Sequence, residues 1–436
     1  MSITFQGGIH VDGCKGTNKK PIEIMPSPEY VALPLQQHIG ASVIATVKVG
    51  DNVKKGQIIG RNDNALSCPV HASISGTVEK IEYRNSNGPF KTEYVVIKND
   101  GLDELSEDIK PLEKKVTDLT CDEIINIVRN AGISGMGGAT FPAYAKIASA
   151  VGKAKEIIIN CAECEPFITA NHRLLLEQPM DIINGVKILL LALGLKKATF
   201  AIEDNKKNAA KVLEELLCDD DMFSVKLLKT KYPQGDERQI IYALNGIEIP
   251  TGKLPADVGC VIFNAETCYA IYHAVVNGMP LISRVVTVDG DCICESKNLR
   301  IPLGTSYNDV ASYCGGIKGN LCKVINGGPM MGNAQFDLNG TVTKGTSALL
   351  FFSDKFEKKA EPACIHCGKC VSVCPMHLMP VNLALFTQNG NLDMCREYDI
   401  LSCMECGSCS YICPGNVPIV QYIREAKDKI RAMSSK

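Results

Sequence analysis

The same cysteine phrase occurs twice near the C-terminus. The first copy reads Cys364-Ile-His-Cys367-Gly-Lys-Cys370-Val-Ser-Val-Cys374-Pro375, and the second Cys403-Met-Glu-Cys406-Gly-Ser-Cys409-Ser-Tyr-Ile-Cys413-Pro414. Each is C-x2-C-x2-C-x3-C-P, a spacing that holds [4Fe–4S] cubanes in pairs. Three closely spaced thiolates fit three corners of one cubane. The fourth, held apart ahead of a proline, reaches the neighbouring cluster. The expected ligand sets are therefore crossed: Cys364, Cys367, Cys370 and Cys413 for one cluster, and Cys403, Cys406, Cys409 and Cys374 for the other. Zinc is the competing reading, but zinc sites usually draw four ligands from two separated pairs. A chain built around two adjacent cubanes is expected to carry electrons.

The 436 residues leave room for about three domains, each with its own core. A formal charge of −2 supplies no electrostatic footprint for nucleic acid. The opening Met1-Ser-Ile-Thr-Phe-Gln-Gly-Gly lacks the basic region and apolar run of a secretory signal. The most apolar window, Val186 to Leu195, falls well short of the ~20 residues a spanning helix needs, so any membrane link is expected to run through a partner. Of the 21 cysteines eight belong to the two motifs; the other thirteen, scattered, fit a reducing interior such as that of an anaerobe. Cys161-Ala-Glu-Cys164 has the spacing of a redox pair, but no helix opens between the two, and buried free cysteine is common.

The fold expected is multidomain α/β. Residues 1–115 read as short strands and turns, with Val47 to Gly60 and His71 to Ile81 resembling the two hairpins of a lipoyl-type barrel sandwich. Arg61-Asn-Asp-Asn64 stands at the tip where such domains carry a modified lysine, so a docking or structural role is expected there. Residues 116–282 alternate helices with apolar strands, the pattern of a doubly wound α/β domain. Thr120-Cys-Asp-Glu123 is a capping box ahead of its first helix. Residues 283–352 form a small α+β segment with a sharp turn at Val324 to Gly332 and no evident chemistry. Residues 353–436 hold the clusters and a closing amphipathic helix.

Gly132-Ile-Ser-Gly135-Met-Gly137-Gly138-Ala-Thr-Phe141-Pro142 lies between two helices, and no Gly-Lys-Ser/Thr follows. That counts against both a dinucleotide-binding fingerprint and a P-loop. Consecutive glycines still let backbone N–H groups approach a phosphate or flat ring, with Lys146 one turn into the next helix. A plain tight turn is the alternative. Three further segments fall where α/β domains bind ligands: Asn160-Cys-Ala-Glu163-Cys-Glu165-Pro166, Tyr232-Pro-Gln-Gly235-Asp236-Glu237 and Asn264-Ala-Glu-Thr267. Singly, each is more often a cap or turn; together they favour a cradle.

In this order the segments resemble the flavin- and NADH-binding subunit of respiratory complex I and its soluble diaphorase relatives. The resemblance implies FMN contacts at Gly135, Gly137, Gly138, Lys146, Asn160, Glu163, Gly235, Asn264 and Thr267. It implies a nicotinamide side lined by Phe141, Glu165, Tyr232 and Glu237, with Asp236 beside it. Ala162 and Phe263 depart from that pattern. Over its whole length the chain resembles the RnfC family, the C subunits of Rnf complexes. It shares Phe5-Gln-Gly-Gly-Ile-His10, Pro34-Leu-Gln-Gln-His-Ile-Gly40 and the order barrel sandwich, flavin domain, β-grasp segment, cluster motifs. This implies FMN, two [4Fe–4S] clusters and NAD(H) as substrate, with no side chain acting as nucleophile. It also implies other Rnf subunits as partners, ferredoxin reached through one of them, and a peripheral place on the cytoplasmic face of the bacterial membrane. A cobalamin reductase shares these parts but puts its glycine loop first; a flavin-free wire is the other alternative.

Overall fold

The computed structural model describes residues 3–85, 91–356 and 363–434. At its centre is a four-stranded, wholly parallel sheet in the order Phe223–Leu228, Ala198–Glu203, Glu156–Asn160, Cys260–Asn264. Ile157, Ile158 and Ile159 are fully buried on successive positions, so both faces of the middle strand are covered. One cover is the Pro179–Leu193 helix packed on Ala265–Asn277, where Gly185 meets the Cys268 carbonyl with no room for a Cβ. The capping box forms as expected: Thr120 accepts from the Glu123 N–H, and the Glu123 carboxylate accepts from the Thr120 N–H.

The barrel sandwich consists of two small antiparallel sheets. One carries Tyr30–Pro34, Lys91–Asn99, Gly76–Asn85 and Asn52–Val53; the other carries Ile44–Ala45, Ile58–Arg61 and Val70–His71. Its tip docks on the first helix of the α/β domain: Asp63 pairs with Arg129 at 3.4 Å, and Arg61 donates to Asn130 at 3.3 Å. The third module is a six-stranded mixed sheet with the Tyr307–Tyr313 helix against it. Its outermost strand is Ile22–Ile24, parallel to Lys297–Pro302. Within the 1–115 segment, Ile3, Ile9 and Ile22–Ile24 pair with strands and loops outside the two barrel sheets. Ile3 and Ile9 bridge to Leu228 and Tyr232, and Ile22–Ile24 completes an otherwise open edge.

The cluster module is helical. Ile423, Ala426 and Ile430 on the closing Ile419–Ser434 helix bury one face, with Leu383 of the Pro380–Gln388 helix in the same core. That core is separate from the main one, so this module folds around its own small centre.

Candidate flavin, nucleotide and cluster sites

The glycine loop lies at the carboxyl edge of the parallel sheet, where the strands Glu156–Asn160 and Cys260–Asn264 end side by side. Three contacts fix it. The Met136 N–H donates to Thr267 Oγ1 at 3.0 Å, the Gly135 N–H donates to the Phe141 carbonyl at 2.8 Å, and Ser134 bridges to Pro142. Gly137 and Gly138 are left exposed at the crest. A Cβ on Gly138, whose φ is +116°, would meet nothing within 4 Å, and one on Gly137 would stand 3.5 Å from the Asn264 Cβ. The crest therefore presents bare backbone to an open space bounded by Asn264, as a flat ring needs.

Behind the loop is a buried ion pair. Arg284 and Glu266, both nearly inaccessible, join through Nε–Oε1 at 3.1 Å and Nη2–Oε2 at 2.9 Å. Arg284 also donates to the Met136 and Lys344 carbonyls, and Glu266 accepts the Val285 N–H at 2.8 Å. Lys344, whose pKa burial lowers to about 8, spans Pro69 of the barrel at 2.6 Å and Gly132 of the loop at 2.7 Å. Barrel, loop and third module are thus locked together under the cradle.

Asn160 reaches across the site, its Nδ2 donating to the Gly235 carbonyl at 2.8 Å. Asp236 and Asn264 each cap a helix, Asp236 accepting from Arg238 and Gln239 and Asn264 from Glu266. Burial raises the pKa of the Asp236 carboxyl to about 6. Lys146 pairs with Glu237, donates to the Ile262 carbonyl at 3.1 Å, and sits 6.0 Å from the Phe263 ring centre. Phe263 is thus core beneath a lysine, which accounts for an apolar residue at that position. The Ala162 N–H is satisfied by Asn160 Oδ1 at 3.0 Å.

Three residues expected near the cofactors have their polar groups engaged elsewhere. The Glu163 carboxylate accepts the N–H groups of Asn171 and His172 at 2.6 and 3.1 Å, capping the Ala170–Glu177 helix, whose own N-cap Thr169 makes no side-chain cap bond. The Glu165 carboxylate accepts the Met330 and Met331 N–H groups at 3.0 and 2.9 Å, and burial raises its pKa to about 7 despite them. The turn at Val324 to Gly332, whose sequence suggests no chemistry, is therefore the seat of Glu165. Tyr232 is 1% exposed, and its hydroxyl donates to the Cys406 carbonyl at 2.6 Å. Cys161 and Cys164 fall in different packing groups; Cys164 instead accepts the Gly235 N–H at 3.3 Å.

Four of the eight motif cysteines share one neighbourhood. Cys374, Cys403, Cys406 and Cys409 line one small cavity with Met376, Leu378 and Ile423. Cys370 and Cys413 are electrostatic neighbours, and Cys364 and Cys367 are exposed. Among the described residues no three His, Cys, Asp or Glu side chains converge closely enough for a single ion. A zinc site would draw four ligands to about 2.3 Å from one centre. A cubane instead presents four separate irons to its thiolates, and Cys374, Cys403, Cys406 and Cys409 line a common cavity without converging on one point.

Comparison with known proteins agrees with this arrangement. Family models match in three places: an RnfC barrel sandwich hybrid domain at residues 3–102, a Nuo51 FMN-binding domain at 128–273, and a 4Fe-4S dicluster domain at 363–417. Over 436 residues the chain is 44% identical to the C component of the proton-translocating ferredoxin:NAD(+) oxidoreductase complex of Clostridium ljungdahlii, covering 99% of this chain and 95% of that one. The chain belongs to the RnfC family. It is also 42% identical to the C component of the Na(+)-translocating ferredoxin:NAD(+) oxidoreductase complex of Acetobacterium woodii, covering 99% of this chain and 98% of that one. An NAD+-reducing [NiFe]-hydrogenase shares the fold at a TM-score of 0.50 and 17% identity, over 72% of this chain and 61% of that one. The three matched domains follow one another along the chain with the barrel first and the clusters last, as the module order implies.

Sequence reasoning missed Lys15, Lys344 and the Arg284–Glu266 pair. Glu266 lies within one of the strand-end segments and Arg284 near a module boundary, but no local pattern announces a partner 18 residues away. Lys344 is joined to Pro69 across 275 residues, which only the folded chain reveals.

Proposed function

We propose that this chain is the NADH- and FMN-binding electron-transfer subunit of a membrane-bound ferredoxin:NAD+ oxidoreductase coupled to ion transport. FMN held here would supply hydride exchange with NAD(H) and single-electron exchange with two [4Fe–4S] clusters, while the protein supplies orientation and electrostatics. Gly135, Gly137 and Gly138 offer backbone to the ring, with Asn160, Gly235, Asn264 and Thr267 holding the rim in place. Phe141 and Glu237 form the nucleotide side, and Lys146, paired with Glu237, lies between it and FMN. Tyr232, Glu163 and Glu165 support the site through the bonds described above. The cluster ligands are crossed, with Cys374 joining the second motif and Cys413 the first.

One observation carries this reading: the neighbourhood of Cys374, Cys403, Cys406 and Cys409 is packed onto the flavin-side strand ends. Cys406, Tyr232, Cys164 and Met330 share one apolar cluster. Cys364 and Cys367 of the other set face outward, so the second motif's cluster lies on the flavin side and the first motif's on the partner side. None of the described helices is long and apolar enough to cross a membrane. We place the protein peripherally, on the cytoplasmic face, where NADH is available.

Anaerobic purification with iron, sulfide and flavin quantitation tests the account. Gly137→Trp should empty the flavin site and leave both clusters intact; full flavin occupancy in that variant would remove the loop from the site.

A further inference from the structure

The opening Phe5-Gln-Gly-Gly-Ile-His10 belongs to neither the glycine loop nor the cysteine motifs, yet Phe5 and Ile9 are buried at 3% and 4% exposure. Its two glycines both hold left-handed backbone, with φ of +72° at Gly7 and +71° at Gly8. The Gly8 N–H donates to the carbonyl of Val373, the residue before Cys374, at 2.8 Å. A Cβ on Gly7 would stand 2.8 Å from the Cys374 carbonyl oxygen and 3.2 Å from the Pro375 Cα. One residue further, Ile9 and Tyr232 exchange backbone hydrogen bonds of 2.8 and 2.9 Å.

The segment is also held on the flavin side. Lys231 donates to the Phe5 carbonyl at 3.1 Å and sits 4.6 Å from the Phe5 ring centre. The Gly13 carbonyl accepts the Phe167 N–H at 2.8 Å. The Lys15 ammonium donates to the carbonyls of Glu163, Glu165 and Ile168 at 2.8, 2.7 and 2.6 Å. Within eleven residues, Phe5 to Lys15, the chain thus grips the loop after strand Glu156–Asn160, the Tyr232 turn and the backbone of a cluster ligand.

We propose that Phe5–Lys15 is a positioning strap that sets the spacing between the flavin-side strand ends and the second motif's cluster. This rests on the electron-transfer reading above. Contacts between domains of one chain ordinarily permit relative motion unless they are extensive. Electron exchange across a non-bonded gap weakens steeply with its width, so a module carrying the receiving cluster needs such a restraint. Gly7 and Gly8 are the residues that let the strap lie directly on the Cys374 backbone.

The test is Gly7→Ala, with Phe5→Ala as a second variant that loosens the strap without straining its backbone. Both are purified anaerobically as full chains, and flavin and iron are quantified. The strap predicts full flavin and both clusters, a shifted EPR signal for the second motif's cluster, and an unshifted signal for the first. NADH should bleach the flavin band at the wild-type rate while cluster reduction slows several-fold. Should Gly7→Ala not fold, Phe5→Ala decides by the same readouts. An unchanged second signal with an unchanged reduction rate overturns the proposal, as does equal disturbance of both signals. Wild-type protein without flavin would sink the electron-transfer reading instead, a distinguishable result.

Discussion

The two cysteine motifs have the same spacing and local backbone but different surroundings. His366 and Glu405, at equivalent positions, both take positive φ, at 53° and 60°, and Gly368 and Gly407 follow at 72° and 79°. Cys370 and Cys409 are both buried, yet Cys364 and Cys367 are exposed and Ile365 is 65% exposed, whereas Cys403 is half-buried, Cys406 is buried and Met404 packs beside Tyr232. Glu405 is held by Arg424 at 3.1 Å and Lys427 at 2.6 Å, and Lys427 also donates to the Cys403 carbonyl at 2.6 Å. The motif determines what is bound. What packs on it sets which motif lies against the flavin-side strand ends.

The largest effect that bears on this comparison comes from the fourth cysteines. Cys374→Ser is expected to damage the cluster of the second motif, and Cys413→Ser that of the first. EPR on the two variants decides; loss confined to the cluster of the mutated motif would remove the crossing.

A finer test uses the paired glycines. Ala at either Gly368 or Gly407 costs about 1 kcal/mol for its left-handed backbone. A Cβ at Gly368 meets nothing within 4 Å, while one at Gly407 lies 3.0 Å from the Met330 carbonyl oxygen. Gly407→Ala should therefore destabilise more and slow cluster reduction by NADH, with Gly368→Ala leaving that rate alone. Equal behaviour in denaturation and single-turnover traces would erase the distinction between the two sides.

A third effect is one of pH, and it belongs to the flavin side through Glu165, which seats the Met330 turn. Folding raises the pKa of this carboxyl from the usual 4.5 to about 7, so across that window the folded chain binds more protons than the unfolded one. Stability should then fall as pH rises towards 7 and level off above it, by at most about 1.4 kcal/mol per pH unit. Glu165→Gln should flatten the slope in anaerobic urea titrations; an unchanged slope would assign it to other groups.

Much of this was legible in the sequence because the signals were local. Strand Glu156–Asn160, the Pro179–Leu193 helix and the helix capped by Asn264 follow from apolar runs and caps that a short window contains. Cysteine spacing likewise reports chemistry within a dozen residues. The roles of Glu163, Glu165 and Tyr232 were not legible, because each depends on which distant N–H or carbonyl it meets. A carboxylate at a strand end looks the same whether it faces a ribose or the Met330 turn. The strap was hidden for the same reason: two glycines announce a turn, not the cysteine backbone they lie against.

The most direct test of the central claim is rapid freeze-quench EPR after mixing anaerobic protein with NADH, using the cysteine variants to assign the signals. The signal of the cluster held by Cys374, Cys403, Cys406 and Cys409 should rise first, and that of the set Cys364, Cys367, Cys370 and Cys413 should follow. If the cluster of the first motif fills first, or if either fills in protein that holds no flavin, the account is contradicted.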